Sequence, residues 1–291
     1  MNAAPRIPAV MISAVISDVD GTLVTDDKVL TAPAKSAVAA LGAAGITFTV
    51  ISSRPPRGIR PLLQSLGITK PVGCFNGGVI AKPDGTTITE HLLPPIVARR
   101  AVDMIAASGA EPWLFCGQEW LVRRAEGPYI ALEERTVGSP PTLVDDFGPY
   151  LGKAAKIVGA SADFDALARC ESDMHAAMAG QATVARSQPY YLDVTHPLAN
   201  KGDALSAIAA LLGVPLGEIA VLGDARNDMV MFERSGLSIA MGNAFPDVKQ
   251  AADFVTNSNA NNGFAHAIET IILGHRRPET SAALTSKSAI E

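Results

Sequence analysis

Short runs of β-branched residues alternate with helical stretches at both ends of this chain, and this alternation limits the fold more than any other feature. Val10–Ser17, Ile46–Ile51 and Val72–Phe75 are predicted strands, with apolar residues at helical spacing between them. The same alternation returns between Lys201 and Leu273. Strands that alternate with helices indicate a parallel sheet covered on both faces. The sequence therefore predicts an α/β fold with a Rossmann-like core.

The middle of the chain differs from both ends. Every Trp and Tyr falls between residues 82 and 192, and a hairpin signal around the turn Lys82-Pro83-Asp84-Gly85 opens this block. Such a change inside a regular alternation favours an inserted domain. The predicted organisation is an N-terminal tail (1–10), a discontinuous catalytic core (11–81 plus 193–275), an inserted α+β cap (82–192) and a flexible tail (276–291).

Composition excludes several classes of function. With 24 Lys and Arg against 29 Asp and Glu, the net charge is −5, too acidic for a protein that wraps nucleic acid. Three widely spaced cysteines indicate neither disulfides nor a zinc site and favour a cytoplasmic location: Cys74, Cys116 and Cys170.

Membrane partners are not expected either. No run reaches the roughly 18 apolar residues that span a bilayer. We interpret the apolar run Ile7–Ile16 as a buried strand rather than a signal peptide, because Pro8 interrupts it. The expected protein is soluble, has neither nucleic acid nor membrane as a partner, and leaves homo-oligomerisation open.

Chemically active side chains follow four predicted strands of the core. In an open parallel sheet, ligands bind beyond the carboxyl ends of the strands, so these side chains are predicted to converge. They are Asp18 and Asp20 after the first strand, Ser52 and Ser53 after the second, Asn76 after the third, and Asp224, Asn227 and Asp228 after the strand Ile219–Leu222. Lys201 opens a helix, where a cation opposes the helix dipole and indicates a nearby anion.

This set of residue types suits phosphoryl transfer through an aspartyl phosphate. Carboxylates from different strands can hold Mg²⁺, a hard cation that prefers oxygen ligands. The metal screens the repulsion between a carboxylate nucleophile and an anionic phosphate. One Asp can attack phosphorus, while a second, two residues on, protonates the leaving oxygen and later deprotonates a water. Lys and Ser can hold the phosphoryl oxygens whose charge the transition state must stabilise.

The ordered motifs resemble those of the haloacid dehalogenase (HAD) superfamily, and within it the Cof-type sugar-phosphate phosphatases with a large C2-type cap. The resemblance extends from about Met11 to Ile272. Its motifs are DVDGTL at Asp18–Leu23, Ser52 in ISSRP, Lys201 in NKGDAL, and GDARNDMVMF at Gly223–Phe232. It implies a HAD-like core with an inserted cap, Mg²⁺ as cofactor, and hydrolysis of small phosphomonoesters such as sugar phosphates or similar metabolites.

The resemblance also implies a role for each matching residue. Asp18 would be the nucleophile and a Mg²⁺ ligand, and Asp20 the general acid and base, with its backbone carbonyl on the metal. The other implied roles are phosphate binding by Ser52, Asn227 and the backbone amides of Val19 and Ser53, neutralisation of the phosphoryl group and Asp18 by Lys201, metal ligation by Asp224, and support of the metal shell by Asp228.

Two other functions stay open beside the phosphatase. A phosphosugar mutase of the same superfamily would return the phosphoryl group to its substrate. A catalytically idle regulator would keep the fold in order to bind a sugar phosphate. The complete set of catalytic side chains argues against the regulator, and no DNA-binding helix pair or basic stripe is visible in the sequence.

Several residues have a structural interpretation of comparable weight. Asn76 fits a hairpin turn as well as a functional role. Arg54 is interpreted as solvated or structural, and a position facing the cleft stays open. The cap aromatics are interpreted as packing residues: Trp113, Trp120, Tyr190 and Tyr191. Departures from the family pattern occur at Ser17, Ser53 and Pro55-Pro56. Ser53 would crowd the phosphate loop if its backbone needed a positive φ.

Overall fold

The computed structural model describes residues 11–274, so the predicted tails at 1–10 and 276–291 lie outside the described residues. Over residues 11–274 the strands are, in chain order, β1 (Ala14–Ser17), β2 (Thr47–Val50), β3 (Val72–Cys74), β4 (Val79–Ala81), β5 (Thr87–Glu90), β6 (Glu111–Cys116), β7 (Glu119–Val122), β8 (Thr142–Leu143), β9 (Lys156–Ala160), β10 (Thr183–Gln188), β11 (Tyr191–Thr195), β12 (Ile219–Gly223), β13 (Leu237–Ala240) and β14 (Phe254–Val255).

Helices connect these strands in the same part of the chain. They are α1 (Ala32–Ala43), α2 (Pro56–Leu66), α3 (Pro95–Ala107), α4 (Ile130–Val137), α5 (Phe164–Ala177), α6 (Lys201–Leu212), α7 (Met229–Phe232), α8 (Pro246–Ala251) and α9 (Gly263–His266). A π-helical segment, Ala267–Ile272, continues α9. Within residues 11–274, none of these helices combines the length and the apolar character that crossing a membrane requires.

Five parallel strands form the central sheet, in the order β14-β13-β12-β1-β2. β1 lies between β12 and β2, with Ile16 opposite Val221 on one side and Thr49 on the other. All four residues of β1 and all five of β12 are buried. Strands buried on both faces have continuous apolar sequences, which is why these two could be recognised. The predicted Rossmann-like α/β core is confirmed.

The third predicted strand differs from its prediction. β3 touches the central sheet through a bridge between Ile51 and Gly73, and it pairs antiparallel with β4 in a separate sheet of order β3-β4-β5. The cause is a sharp turn in which Phe75, Asn76 and Gly77 all adopt positive φ. This turn sends the chain back along β3 instead of into a crossover helix.

A second, mixed sheet of six strands, β10-β11-β9-β6-β7-β8, occupies the middle of the chain. Its neighbouring strands are antiparallel except β7 and β8. One face packs against α3 and α5, with Leu114 and Ile157 in a hydrophobic core of its own. The other face, which carries Trp113 and Trp120, shares a hydrophobic cluster with Phe75 of the central unit. The predicted inserted α+β unit is therefore present.

The limits of the inserted block stay predictions. The hairpin of β4 and β5 lies across the predicted limit at residues 81 and 82, and β11 runs across the limit at 192 and 193. The segments that follow β5 and β11 meet side by side, because the rings of His91 and His196 stack with centroids 5.5 Å apart.

Candidate active site

A buried network of opposite charges lies at the carboxyl end of β1. The Nζ atom of Lys201 donates to Asp18 Oδ1 at 2.6 Å and also to Asp228 Oδ1. Lys201 is 2% exposed and Asp228 is 0% exposed, so these charges are compensated by one another and not by water. Asn200 caps α6 by accepting from the N–H of Asp203 at 2.9 Å, which fixes Lys201 in the first turn. Two carboxylates, those of Asp18 and Asp228, supply the anion predicted near Lys201.

Asp228 also shapes the loop that follows β12. Its Oδ2 accepts hydrogen bonds from the backbone N–H groups of Asp224 and Ala225, both at 2.9 Å. A Cβ at Gly223 would lie 2.4 Å from the Asp228 carboxyl carbon, so the close approach requires glycine. Both oxygens of Asp228 are engaged by the protein, and this residue holds the loop and Lys201 in place.

Asp224 lies against the turn that follows Asp18. Its carboxylate accepts from the Thr22 hydroxyl at 3.0 Å and from the Asn243 side-chain amide at 3.4 Å. Gly21 has φ +85°, and a Cβ there would lie 2.3 Å from Asp224 Oδ2. Glycine is therefore needed at position 21 for two reasons: it adopts the positive φ of the turn, and it leaves room for the Asp224 carboxylate, which Thr22 then binds.

Asp18, Asp224 and Asp228 form a candidate metal site, because one carboxylate oxygen from each lies within 4.8 Å of the others. Their combined charge exceeds that of Lys201. Burial, and then Asp228, raise the pKa of Asp224 to about 6, and burial raises the pKa of Asp18 although Lys201 opposes this. A set of buried oxygen ligands with surplus negative charge fits a hard divalent cation such as Mg²⁺.

Arg54 is the functional candidate that the sequence interpretation undervalued. Of the alternatives that the sequence left open, the solvated one is excluded, because the guanidinium binds Asp20 through two hydrogen bonds, Nε to Oδ2 and Nη2 to Oδ1, both at 2.7 Å. Lys28 adds an ion pair at 2.9 Å. Burial alone would raise the pKa of Asp20, but Arg54 and then Lys28 lower it to about 2. Asp20 is therefore ionised. The sequence feature that could have indicated this role is the position of Arg54, two residues after Ser52 and just beyond the end of β2.

We expect Arg54→Met to remove stability that the wild type has at neutral pH. Asp20 has a folded pKa of about 2 against an ordinary 3.8, so its ion pairs stabilise the fold above pH 4 and this contribution is lost as the pH falls towards 2. The shift corresponds to about 2 kcal/mol. Urea unfolding from pH 2 to pH 7 in EDTA measures it, with the exposed Arg57→Met as control. Parallel curves for Arg54→Met and wild type would contradict the assignment.

The remaining predicted phosphate-binding residues lie at the same edge. Ser52 is buried, and its Oγ accepts from the Arg54 N–H at 3.2 Å. Asn227 Nδ2 donates to Asn76 Oδ1 at 3.1 Å, so Asn76 both forms the turn and contacts the loop after β12. Ser53 is not among the described residues with positive φ, and the predicted crowding does not arise. Phosphate binding by these residues stays a prediction.

Two residues beside Asp18 shape its loop. Ser17, a departure from the family pattern, is buried and donates its hydroxyl to the Asp18 carbonyl at 2.6 Å. The Val19 carbonyl accepts from the Leu23 N–H at 2.9 Å, which closes the turn after β1. Ser17 therefore supports the loop through a local hydrogen bond.

Known proteins resemble this chain over most of its length. The model of the haloacid dehalogenase-like hydrolase family matches residues 15–268. The chain is 26% identical over 283 aligned residues to the 5-amino-6-(5-phospho-D-ribitylamino)uracil phosphatase YwtE of Bacillus subtilis. That alignment covers 88% of this chain and 97% of that protein. The chain is 28% identical to the HMP-PP phosphatase of Cronobacter sakazakii, with 79% and 84% covered.

A solved structure shows the same architecture. A haloacid dehalogenase-like hydrolase from Bacteroides thetaiotaomicron superposes with a TM-score of 0.82 at 28% identity, and the match covers 89% of this chain and 99% of that one. The match therefore includes both the parallel sheet and the inserted block.

Proposed function

This chain belongs to the haloacid dehalogenase-like hydrolases, and from that membership we propose that it releases phosphate from small phosphomonoesters, sugar phosphates or similar metabolites, through an aspartyl phosphate on Asp18. Its activity is that of a hydrolase of phosphoric monoesters, and two of its relatives bear the names of phosphatases. Each further step of the proposal rests on the contacts of the described residues.

The contact between Lys201 and Asp18 is the observation that carries the proposal. Because Lys201 Nζ holds one oxygen of Asp18 at 2.6 Å, the carboxylate has a fixed direction and its other oxygen is left for attack on phosphorus. Burial opposes the charge of Lys201, but Asp18 and Asp228 raise its pKa above the ordinary value. Lys201 therefore stays cationic and can also neutralise the phosphoryl group.

We propose two chemical steps that use Asp18 and Asp20. In the first, an Asp18 oxygen attacks phosphorus, the bond from phosphorus to the leaving oxygen breaks, and Asp20 gives that oxygen a proton. In the second, a water attacks the phosphorus of the aspartyl phosphate while Asp20 takes the water's proton. The bond between Asp18 and phosphorus then breaks, which frees phosphate and restores both carboxyl groups.

Asp20 has the base form in this structure, since Arg54 and Lys28 keep it ionised. It is therefore arranged for the second step, whereas the first requires Asp20 to take up a proton. The fork of Arg54 matches phosphate oxygens as well as carboxylate oxygens. We propose that the phosphate of the substrate competes for Arg54, which weakens its hold on Asp20 and lets Asp20 carry the proton of the first step.

Mg²⁺ would be held by Asp18 and Asp224 together with the Asp20 backbone carbonyl, while Asp228 keeps the loop and Lys201 in position. When bound, the ion screens the repulsion between these carboxylates and an anionic phosphate. The partners expected for this site are thus a small phosphorylated metabolite and one divalent cation.

Removal of the metal ion is expected to abolish phosphate release from p-nitrophenyl phosphate, and added Mg²⁺ should restore it. Binding of Mg²⁺ to the folded protein should also raise its Tm, because a ligand at 100 times its Kd stabilises by about 2.7 kcal/mol. Asp224→Asn should lose both effects, whereas Asp247→Asn, an exposed carboxyl paired with Arg226, should keep them. Full activity in EDTA together with an unchanged Tm in Mg²⁺ would exclude the metal site.

The same assays separate hydrolysis from the two alternatives. A mutase would produce isomerised sugar phosphate without free phosphate, and a regulator would bind sugar phosphate without turnover at saturating Mg²⁺. A panel of sugar phosphates, nucleotides and coenzyme phosphates, scored by released phosphate, identifies the class of substrate. The proposed function predicts released phosphate from at least one small phosphomonoester.

A further inference from the structure

The loop that follows β13 reaches across to the turn after Asp18 through one side chain, that of Asn243. Its Nδ2 donates to the Gly21 carbonyl at 2.9 Å and to Asp224 Oδ2 at 3.4 Å. The steps proposed for phosphate release give Asn243 no part. This side chain nevertheless contacts both the backbone next to Asp20 and a candidate metal ligand.

The orientation of the Asn243 amide is determined by its oxygen. Asn243 Oδ1 accepts a hydrogen bond from the backbone N–H of Asn259 at 3.0 Å. If the oxygen and nitrogen exchanged places, the oxygen would face two acceptors, the Gly21 carbonyl and the Asp224 carboxylate, and the nitrogen would face a donor. All three contacts therefore require the same orientation, with the N–H groups directed at Gly21 and Asp224.

Asn259 is itself held by the segment that follows Asp20. It is buried, and its Nδ2 donates to the Val24 carbonyl at 3.2 Å and to Asp26 Oδ1 at 2.9 Å. Val24 in turn forms a β-bridge with Asp20. The N–H that orients Asn243 is therefore attached to the same segment that carries Asp20.

A glycine lets the loop of Asn243 approach the loop of Asn259. The N–H of Gly242 donates to the Asn257 carbonyl at 3.0 Å. A Cβ at Gly242 would lie 2.6 Å from the backbone nitrogen of Ser258. Because a larger residue would push the two loops apart, Gly242 is part of the arrangement that brings the Asn259 N–H to Asn243.

The contacts of Asn243 restrain a carboxylate that is already held from its other side. Thr22 donates to Asp224 Oδ1 at 3.0 Å, and Asn243 donates to Oδ2. Each oxygen of Asp224 thus accepts from a neutral donor. Asn243 is exposed, unlike Asn259, so it adds little to the packing of the core. Its hydrogen bonds are better explained by the site that they border.

We propose that Asn243 is a positioning residue of the metal site, which holds the Gly21 peptide and the Asp224 carboxylate in the arrangement that receives the divalent cation; this inference rests on the proposed function. Groups that hydrogen-bond a metal ligand contribute to metal affinity although they do not touch the ion. Gly21 directly follows Asp20, whose carbonyl is assigned to the cation, so a fixed Gly21 also restrains the peptide that carries this carbonyl.

A neutral amide suits this position better than a charged side chain. The candidate metal site already contains the carboxylates of Asp18, Asp224 and Asp228. A further carboxylate at position 243 would add to their repulsion, and a cationic side chain would compete with the metal ion for Asp224. The N–H groups of Asn243 restrain Asp224 and leave its negative charge available to the cation.

Calorimetric titration of the metal-free, full-length protein with Mg²⁺ alone tests this assignment. Asn243→Ala should raise the Kd for Mg²⁺ by about 10-fold or more. Its Tm in EDTA should stay at the wild-type value, because the side chain is exposed. Asn261→Ala, which changes an exposed asparagine two residues after Asn259, is the matched control and should alter neither quantity.

Hydrolysis of p-nitrophenyl phosphate gives a second, independent measurement. The Mg²⁺ concentration at half-maximal rate should rise in Asn243→Ala by the same factor as the Kd. At saturating Mg²⁺ the kcat should return to the wild-type value, because a residue that only assists metal binding changes affinity and not the rate of the loaded enzyme.

The outcomes separate this inference from the proposed function. Wild-type protein that neither binds Mg²⁺ nor releases phosphate overturns both. If the wild type does both and Asn243→Ala binds Mg²⁺ equally well, the inference alone is wrong, and a lower Tm in EDTA would then assign Asn243 to the fold. A kcat that stays low at saturating Mg²⁺ also overturns it. A raised Kd, measured below the Tm of both proteins, with recovery of kcat supports it.

Discussion

Replacing Asp18 with Asn is expected to lower kcat for phosphate release by roughly 10⁴-fold or more, the scale on which loss of a nucleophile acts. An amide oxygen in this position is a weak nucleophile and cannot form the aspartyl phosphate. The substitution keeps the shape of the side chain, and Lys201 retains its bond to Asp228. Because burial already disfavours the charge of Asp18 and raises its pKa, the neutral amide should leave the free energy of unfolding unchanged or increase it.

Phosphate release and thermal unfolding of Asp18→Asn therefore report on different properties. The variant should melt at or above the wild-type temperature while releasing almost no phosphate. Asp27→Asn, which changes an exposed carboxyl group in the following loop, serves as the control and should retain full activity. Hydrolysis at the wild-type rate by Asp18→Asn would show that another group attacks phosphorus.

Lys201→Met should produce the largest loss of stability among the substitutions at this site. The change leaves the buried carboxylates of Asp18 and Asp228 without their shared cation, and breaking a buried ion pair from one side costs about 3–5 kcal/mol. The kcat should also fall by about 10²–10³-fold, because the phosphoryl group loses a preorganised positive charge.

Urea unfolding with and without Mg²⁺ measures the stability effect of Lys201→Met. In EDTA the variant should show the full loss. Added Mg²⁺ should recover part of it, since the cation would be held by one of the same carboxylates, Asp18. Lys35→Met, an exposed lysine in the first turn of α1, is the control. Equal stability of Lys201→Met and wild type in EDTA would mean that the buried network does not support the fold.

The convergence of the acidic residues could be predicted because it depends on topology alone. Asp18, Asp224 and Asp228 each follow a parallel strand of one sheet, and the carboxyl ends of such strands meet at one edge. Lys201 joined them through a local rule, since a lysine at a helix N-terminus is unfavourable unless an anion lies nearby. The structure places all four together.

Other features depend on information that local sequence does not contain. The position of the guanidinium at the end of a long side chain such as Arg54 depends on the groups within its reach. Its bidentate contact with Asp20 could therefore not be inferred from its place in the sequence alone. The turn after β3 uses positive φ at Phe75, a conformation that an aromatic residue rarely adopts. The strand order of the second sheet arises from non-local pairing, which strand propensity does not encode.

The stacked rings of His91 and His196 mark the place where the chain enters and leaves the second sheet. The two connections between the core and the second sheet therefore run side by side, and the cluster that Trp113 and Trp120 share with Phe75 joins the two units at another place. We therefore expect that changes within this block can redirect the enzyme to other small phosphorylated metabolites while the residues around Asp18 stay the same.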